Sequence, residues 1–231
     1  MSISNLYHPD TKNPACRVLL VRHPESESNQ LLHANPHTED SELVAFKDPG
    51  ITELGCRQMR RTAQHLANFF FQEDEIMVMA SPQRRAYMMA DEFLKQRSAP
   101  IHYQREGALY EYRRPGKGSL VVPHSDEELP EDTEWHTFVE RVDRFRESLQ
   151  VHTKDFNTII LFGHSCFFSA LIHLCTTPGW RPSSVDQLAF HLPNASITHL
   201  AYNERQWSVL YQGSVAHLPE DERTGTHTPY Y

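Results

Sequence analysis

C-R-V-L-L-V-R-H-P-E-S-E-S-N, running from Cys16 to Asn29, begins as a short run rich in Val and Leu and stops abruptly at Arg22-His23-Pro24. An apolar run of this length bounded by a polar segment predicts a buried strand that ends in a ligand-facing loop. Proline fixes its own φ and pushes the preceding residue towards extended backbone, so Pro24 holds His23 at the strand end and out of any following helix. An imidazole beside a guanidinium at the carboxyl edge of a sheet suits anion chemistry. The same pair is also compatible with a plain surface turn, and this stretch alone does not choose between the two.

Two further segments repeat the pattern. Ile76 to Ala80 is an apolar run followed at once by Ser81-Pro82-Gln83-Arg84-Arg85-Ala86. Ser81 fits an N-cap and Pro82 the first helical position, so a helix is predicted from there to about Lys95, with one arginine facing the site and one facing solvent. Helix N-termini favour anions, and an arginine in the first turns reaches the same anion. Thr158 to Phe162 is the most apolar strand; Gly163-His164-Ser165 ends it, and an apolar helix from Cys166 to Cys175 follows.

Between and beyond these segments the elements are less sharply marked. Gln30 to Gly50 is polar and reads as a long surface loop of the kind that forms lids. His33 and His37 within it have a plausible metal-ligand spacing but no matching Cys, Asp or Glu, so no metal site is assigned. Thr52 is placed to cap a helix whose stripe is Leu54, Met59, Ala63, Leu66, Ala67 and Phe70, with Arg57, Arg60 and Arg61 on a solvated face. Ile101 to Gln104 is a weak strand leading to Leu109-Tyr110-Glu111. Set among aromatics, Glu111 reads either as a general acid with a raised pKa or as a partner of Arg113 or Arg114. Trp135 to Val151 has helical spacing, Ala195 to Tyr202 and Trp207 to Gln212 form a hairpin, and His217 to Tyr231 is a polar tail.

The bulk numbers narrow the class. At 231 residues, 39% apolar and 23% charged, the chain is predicted to be one α/β domain with a core from about 16 to 218 and polar tails. A mean hydropathy of -0.57 leaves no room for membrane spans, and Met1 to Pro14 lacks the apolar centre of a secretory signal. Cys16, Cys56, Cys166 and Cys175 lack paired metal spacing and read as buried thiols in a reducing, cytoplasmic compartment. A net charge of -8 argues against nucleic acid or an anionic membrane as partner, so an anionic substrate must be drawn by local arginines.

In a doubly wound sheet the carboxyl ends of parallel strands share one edge, so the Arg-His pair, the Ser-Pro-x-x-Arg start and the Gly-His pair converge there. Taken in order, these residues resemble the histidine phosphatase superfamily, also called phosphoglycerate mutase-like. Its Leu-Val-Arg-His-Gly-Glu-Ser-x-x-Asn start is similar to Leu20 to Asn29, and its Leu-Thr-Glu-x-Gly to Ile51 to Gly55. Its Ser-Pro-x-x-Arg-Ala is similar to Ser81 to Ala86, its Leu-x-Glu to Leu109 to Glu111, and its Gly-His to Gly163-His164. Asn194 to Thr198, Trp207 and His217-Leu218 are similar to its phosphatase branch.

The resemblance implies a three-layer α/β sandwich: a mostly parallel central sheet flanked by helices, with a small inserted helical or loop region. It implies His23 as the nucleophile forming a phosphohistidine, and Glu111 as the acid that then activates water. Arg22, Arg85 and His164 would bind the phosphoryl oxygens with Asn29 adding a neutral hydrogen bond, while Arg84 would be structural. No cofactor and no metal are implied, and the partner is a small phosphorylated substrate. Pro24 replaces the family's usual Gly, Ser165 a frequent Gly, and Met88-Met89 a usual Gln-Thr pair. The segment Tyr112 to Glu134 does not resemble the long insertion of the mutases, whereas Glu134-Trp135-x-x-Phe138 and Arg141-Val142 look like the small phosphatases. A metal-independent phosphomonoesterase is therefore expected. A mutase-type phosphotransferase and a silent phospho-ligand-binding protein are the alternatives, and Arg113, Arg114 and Lys117 are either a second anion grip or a solvated turn.

Overall fold

The computed structural model describes residues 16–35, 48–69, 76–97, 101–112, 134–203 and 206–225. Its strands are β1 (Cys16–Arg22), β2 (Ile76–Ala80), β3 (His102–Arg105), β4 (Thr158–Gly163), β5 (Ile197–Asn203) and β6 (Gln206–Ser214). Its α-helices are α1 (Glu27–Ala34), α2 (Glu53–Phe69), α3 (Arg84–Lys95), α4 (Trp135–His152) and α5 (Ser165–Thr176).

The described strands form a six-stranded sheet in the order β3-β2-β4-β1-β5-β6. β1 and β2 both run parallel to β4, β3 runs parallel to β2, and β5 and β6 close the other side as an antiparallel pair. The period-2 alternation of the strands sorts their side chains between two cores. Val18, Leu20, Met77, Met79, Ile159 and Leu161 pack with α4 and α5, through Phe138, Val142, Phe145 and Phe167. Leu19, Val21, Ile76, Val78, Ile160 and Phe162 pack with α2 and α3, through Met59, Ala63, Leu66, Met89 and Phe93. Strands covered on both faces read as continuous apolar runs, which is why β1, β2 and β4 stand out in the sequence. The result is the three-layer α/β architecture with a mostly parallel sheet that the sequence predicts.

Some elements differ from expectation. The polar stretch after Ser26 opens with α1, where a loop is expected from Gln30 onwards. Asn29 Oδ1 accepts from Ser26 N (3.2 Å) and Ser26 Oγ (2.9 Å), which closes the first turn, while only Leu32 of this helix is buried. One inward residue in eight is too little to show as periodicity. Helix α3 starts at Arg84, two residues beyond the predicted Pro82. Its first amide is capped from elsewhere: Arg84 N donates to both carboxylate oxygens of Asp48, at 3.1 and 3.0 Å, so Ser81 is not needed as the cap. Thr52 does cap α2, accepting from Gly55 N at 2.9 Å. Arg57 and Arg61 are not simply solvated, because both reach Glu222, Arg61 Nε at 2.7 Å and Arg57 Nε at 3.4 Å. Among the described residues no helix is long and apolar enough to cross a membrane. His37, Arg113, Arg114, Lys117 and the last residues of the tail lie outside the described residues.

Candidate active site

The three strands singled out by their polar endings are neighbours in the middle of the sheet. Register pairs Arg22 with Gly163 across β1 and β4, and Ala80 with Phe162 across β2 and β4. One residue further on, His23 N donates to Gly163 O (2.9 Å) and Ser81 N donates to Phe162 O (2.9 Å). His23, His164 and Ser81 therefore leave the sheet side by side. The two imidazoles stand with ring centroids 5.2 Å apart, and both are buried.

A hydrogen bond fixes the tautomer of His23 and another anchors the ring of His164. His23 Nδ1 lies 2.7 Å from Pro24 O; a carbonyl only accepts, so Nδ1 carries the hydrogen and Nε2 keeps a bare lone pair. His164 Nε2 lies 2.9 Å from Ser81 Oγ, and that oxygen already accepts from Gln83 N at 3.3 Å. Ser81 Oγ has a second lone pair as well as its hydrogen, so this contact anchors the ring in either imidazole tautomer. His164 Nδ1 is buried with no hydrogen-bond partner among the described residues. Burial holds both histidines well below the ordinary imidazole range, and the Arg85 and Arg22 charges act in the same direction. Both rings are neutral at physiological pH.

Around this pair stand the cations. Arg22 and Arg85 are buried at the ends of β1 and in the first turn of α3, and Arg84 is exposed, as the motif predicts. Arg22 Nη1 donates to Leu192 O, and Arg85 Nη1 is 3.8 Å from Asp48 Oδ1. Asn29, on α1, also accepts from Asn194 Nδ2 at 3.0 Å, and its own Nδ2 makes no hydrogen bond among the described residues. Asn194 Nδ2 in addition approaches His23 O at 3.5 Å, which ties α1 to the strand end.

Glu111 is delivered from the other side, after the 3-10 turn Gly107–Leu109 that follows β3. Its carboxylate caps α5: Oε2 accepts from Cys166 N (3.1 Å), and Oε1 from Phe167 N (3.0 Å) and Tyr112 N (3.0 Å). Since the N-cap of α5 is His164, this capping sets Glu111 beside the second histidine. Burial raises the Glu111 pKa above the usual carboxylate range, against the opposing pull of those backbone amides and of Arg85. The structure thus brings together the Arg22, His23, Arg85, His164 and Glu111 groups picked from the sequence, with Asn29 joined through Asn194.

The supporting roles of several residues escape sequence reasoning. Gln83 Oε1 accepts from Glu111 N at 3.1 Å. Arg141, buried on α4, donates to Ala108 O and to Tyr110 O (2.9 Å) and so holds the turn before Glu111. Asp48, Gln58 and Asn194 join different chain segments through hydrogen bonds, and no local spacing reveals such contacts. The available signal was Arg141 itself, a cation beside Phe138, Val142 and Phe145 in an otherwise apolar stripe.

Comparison with known proteins identifies the family and the fold. A protein from Hydrogenobacter thermophilus named "Putative phosphoserine phosphatase 2" is 25% identical over 215 residues, spanning 87% of this chain and 97% of that one. Among solved structures, the α-ribazole phosphatase of Shigella flexneri superposes with a TM-score of 0.61 at 18% identity, covering 86% of this chain and 96% of its own. A mycobacterial glucosyl-3-phosphoglycerate phosphatase in complex with VO3 gives 0.60 at 19% identity, covering 87% and 100%. The phosphoglycerate mutase of Bacillus anthracis gives 0.63 at 14% identity, covering 90% and 97%. These likenesses show a shared fold. The model of one family matches residues 18–114 and 118–214, nearly the whole described chain including every residue of the pocket, so this protein belongs to the histidine phosphatase superfamily, branch 1.

Proposed function

We propose that the chain is a metal-independent phosphatase that hydrolyses small phosphomonoesters through a phosphohistidine on His23. The observation that carries this reading is the His23 Nδ1–Pro24 O hydrogen bond of 2.7 Å, which turns a bare Nε2 lone pair towards a pocket of arginine and neutral histidine donors. In the first step Nε2 attacks phosphorus, the bond to the leaving oxygen breaks, and Glu111 gives its proton to that oxygen. In the second, Glu111, now a carboxylate, takes a proton from water as the water oxygen attacks phosphorus, and the phosphorus–nitrogen pair returns to His23. Throughout, charge on the equatorial oxygens is met by Arg22, Arg85, His164 Nδ1–H and the Asn29 amide. Charge-assisted bonds from guanidinium groups supply the compensation that phosphoryl transfer demands.

Phosphatase names among the relatives, "Putative phosphoserine phosphatase 2" and the α-ribazole phosphatase included, support hydrolysis of small monoesters. A cytoplasmic setting is part of the same proposal, supported by four cysteines that form no disulfide. The test is a panel of phosphomonoesters, with an aryl phosphate and phosphoserine among them, assayed in chelator for the wild type and for His23→Ala. Turnover that disappears in the variant, with acid-labile label trapped on His23, is expected. Binding of phosphate without turnover would assign a silent binding protein, and dependence on a bisphosphorylated primer would assign a mutase.

A further inference from the structure

Gln58, on the inward side of α2, is fully buried among Gly55, Met59, Thr62 and Ala63. A carboxamide is costly to bury unless its polar atoms are satisfied, and a leucine of similar size would fill the space. What a leucine would not supply is three hydrogen bonds to two other parts of the chain. Gln58 Oε1 accepts from Glu25 N at 2.7 Å, while Gln58 Nε2 donates to Glu222 O at 2.7 Å and to Thr224 Oγ1 at 3.0 Å. With both ends engaged in this way, the amide cannot turn over.

The amide nitrogen of Glu25 and the carbonyl of Pro24 belong to one planar peptide unit, and a trans peptide points its N–H and C=O in opposite directions. Gln58 grips one end of that unit, and the ring of His23 grips the other, through Nδ1 at 2.7 Å from Pro24 O. The chain of contacts therefore runs from the Gln58 carboxamide through the Pro24–Glu25 peptide to the His23 imidazole. Polarising the N–H of a peptide also strengthens its carbonyl as an acceptor.

We propose that Gln58 is the positioning residue that sets the tautomer and ring orientation of His23, acting through the Pro24–Glu25 peptide. The proposal rests on His23 being the nucleophile. An imidazole that must attack through Nε2 needs its hydrogen on Nδ1, and a partner that enforces the tautomer is what separates an active ring from an idle one. The segment behind Gln58 serves the same end. Thr224 O accepts from Asn194 N at 3.1 Å, Asn194 Nδ2 holds Asn29 Oδ1 at 3.0 Å, and a side chain at Gly225 would meet Asn194 Oδ1 at 2.6 Å and Arg22 Nη1 at 3.3 Å. Residues Glu222 to Gly225 thus back the nucleophile and the phosphate donors together.

The test compares wild type, Gln58→Leu and Gln58→Glu in the full-length chain, with nitrogen-15-labelled histidine and the His23 signals assigned by difference from His23→Asn. Wild type should show Nδ1 protonated and Nε2 bare. Gln58→Leu should show a mixed tautomer and lose about 10- to 100-fold in kcat/KM, the size of effect seen when an orienting partner of a functional imidazole is removed, with the inhibition constant of phosphate changing much less. Gln58→Glu keeps an acceptor for Glu25 N–H and should retain the wild-type tautomer. If Gln58→Leu does not fold, Gln58→Asn, whose amide is too short to reach Glu25 N, replaces it with the same expectation. An unchanged tautomer in a folded Leu or Asn variant overturns the proposal, whether or not activity falls. The nitrogen shifts are read without turnover, so a wild type that hydrolyses nothing would sink the phosphatase reading and leave this one to be judged on the tautomer.

Discussion

Ser81 Oγ and His164 Nε2 are 2.9 Å apart, and the serine is fully buried at the end of β2. The contact anchors the ring by Nε2 and leaves Nδ1 for a phosphoryl oxygen in the proposed mechanism. Replacing Ser81 by alanine removes this anchor and leaves Nε2 buried without a partner. Ser81→Ala should lower kcat/KM about tenfold or more, and stability by about 1–3 kcal/mol for the unmet polar group. Steady-state kinetics with an aryl phosphate and a denaturant titration check the two parts separately.

The nucleophile and the acid of the proposed mechanism are displaced in opposite directions, which sets the shape of the pH profile that the mechanism requires. His23 is active when unprotonated and lies well below the usual imidazole range; Glu111 is active when protonated and lies above the usual carboxylate range. The rate should rise as pH climbs through the His23 pKa, fall as Glu111 loses its proton, and peak on the acid side of neutrality. Glu111→Gln should abolish the falling limb. With a poor alkoxide leaving group it should cost about 10²–10⁴ in kcat, and with a phenolate much less. A falling limb that survives in the variant would remove Glu111 from the acid role.

Asp48 faces Arg85 at 3.8 Å and caps α3 at the same time. A phosphate on Arg85 meets that carboxylate as a like charge. Asp48→Asn keeps one cap oxygen and removes the repulsion, about 1 kcal/mol for unit charges near 4 Å in a watery environment. Inorganic phosphate should therefore inhibit the variant about fivefold more tightly at low salt, with the gap closing as ionic strength rises. Weaker inhibition would show instead that Asp48 orients Arg85.

Acid should destabilise the fold through its neutral histidines. Burial pushes His199 and His217 down to about 4, with Arg17 adding to the effect on His199 and the His65 ring to that on His217. Unfolded, both take up protons near pH 6.5. Between about 6.5 and 4 the unfolded chain binds more protons, so stability is at its full value above that window and falls as pH drops through it. The limiting slope is roughly 1.4 kcal/mol per pH unit for each fully buried histidine, and smaller for His217, which is partly exposed. Thermal unfolding at pH 7 and pH 5 should show the fall, and His199→Asn should reduce it.

The fold was legible because the central strands are covered on both faces and so appear as unbroken apolar runs: Val18 to Val21, Ile76 to Ala80 and Ile159 to Phe162. Their polar endings were legible for the same reason, since Arg22-His23, Ser81 and His164 interrupt those runs at one edge. Arg85 was separable from Arg84 only by the motif, and the structure agrees by burying the first and exposing the second. Helix α1 was not legible, because its turn is made by Ser26 and Asn29 and only Leu32 reaches the interior. Nor were the partners that hold the pocket in place. Gln58 and Glu222 lie 164 residues apart, and Arg22 and Leu192 170 apart, distances over which no local pattern carries information. The resemblance reached the side chains that the structure gathers in the pocket and missed the backbone contacts that aim them.

The order β3-β2-β4-β1-β5-β6 has a consequence in time as well as in space. His23, Ser81 and His164 leave the three innermost parallel strands, whose amides should exchange with deuterated water only when the whole molecule unfolds. Glu111 follows β3, a four-residue strand at the rim with partly exposed side chains, where opening demands far less. Brief fraying of that rim would carry off Glu111, the proposed acid and base, while His23 and the arginines stayed assembled. A phosphoryl group already on His23 would then wait, bound and unhydrolysed, until the rim closed again.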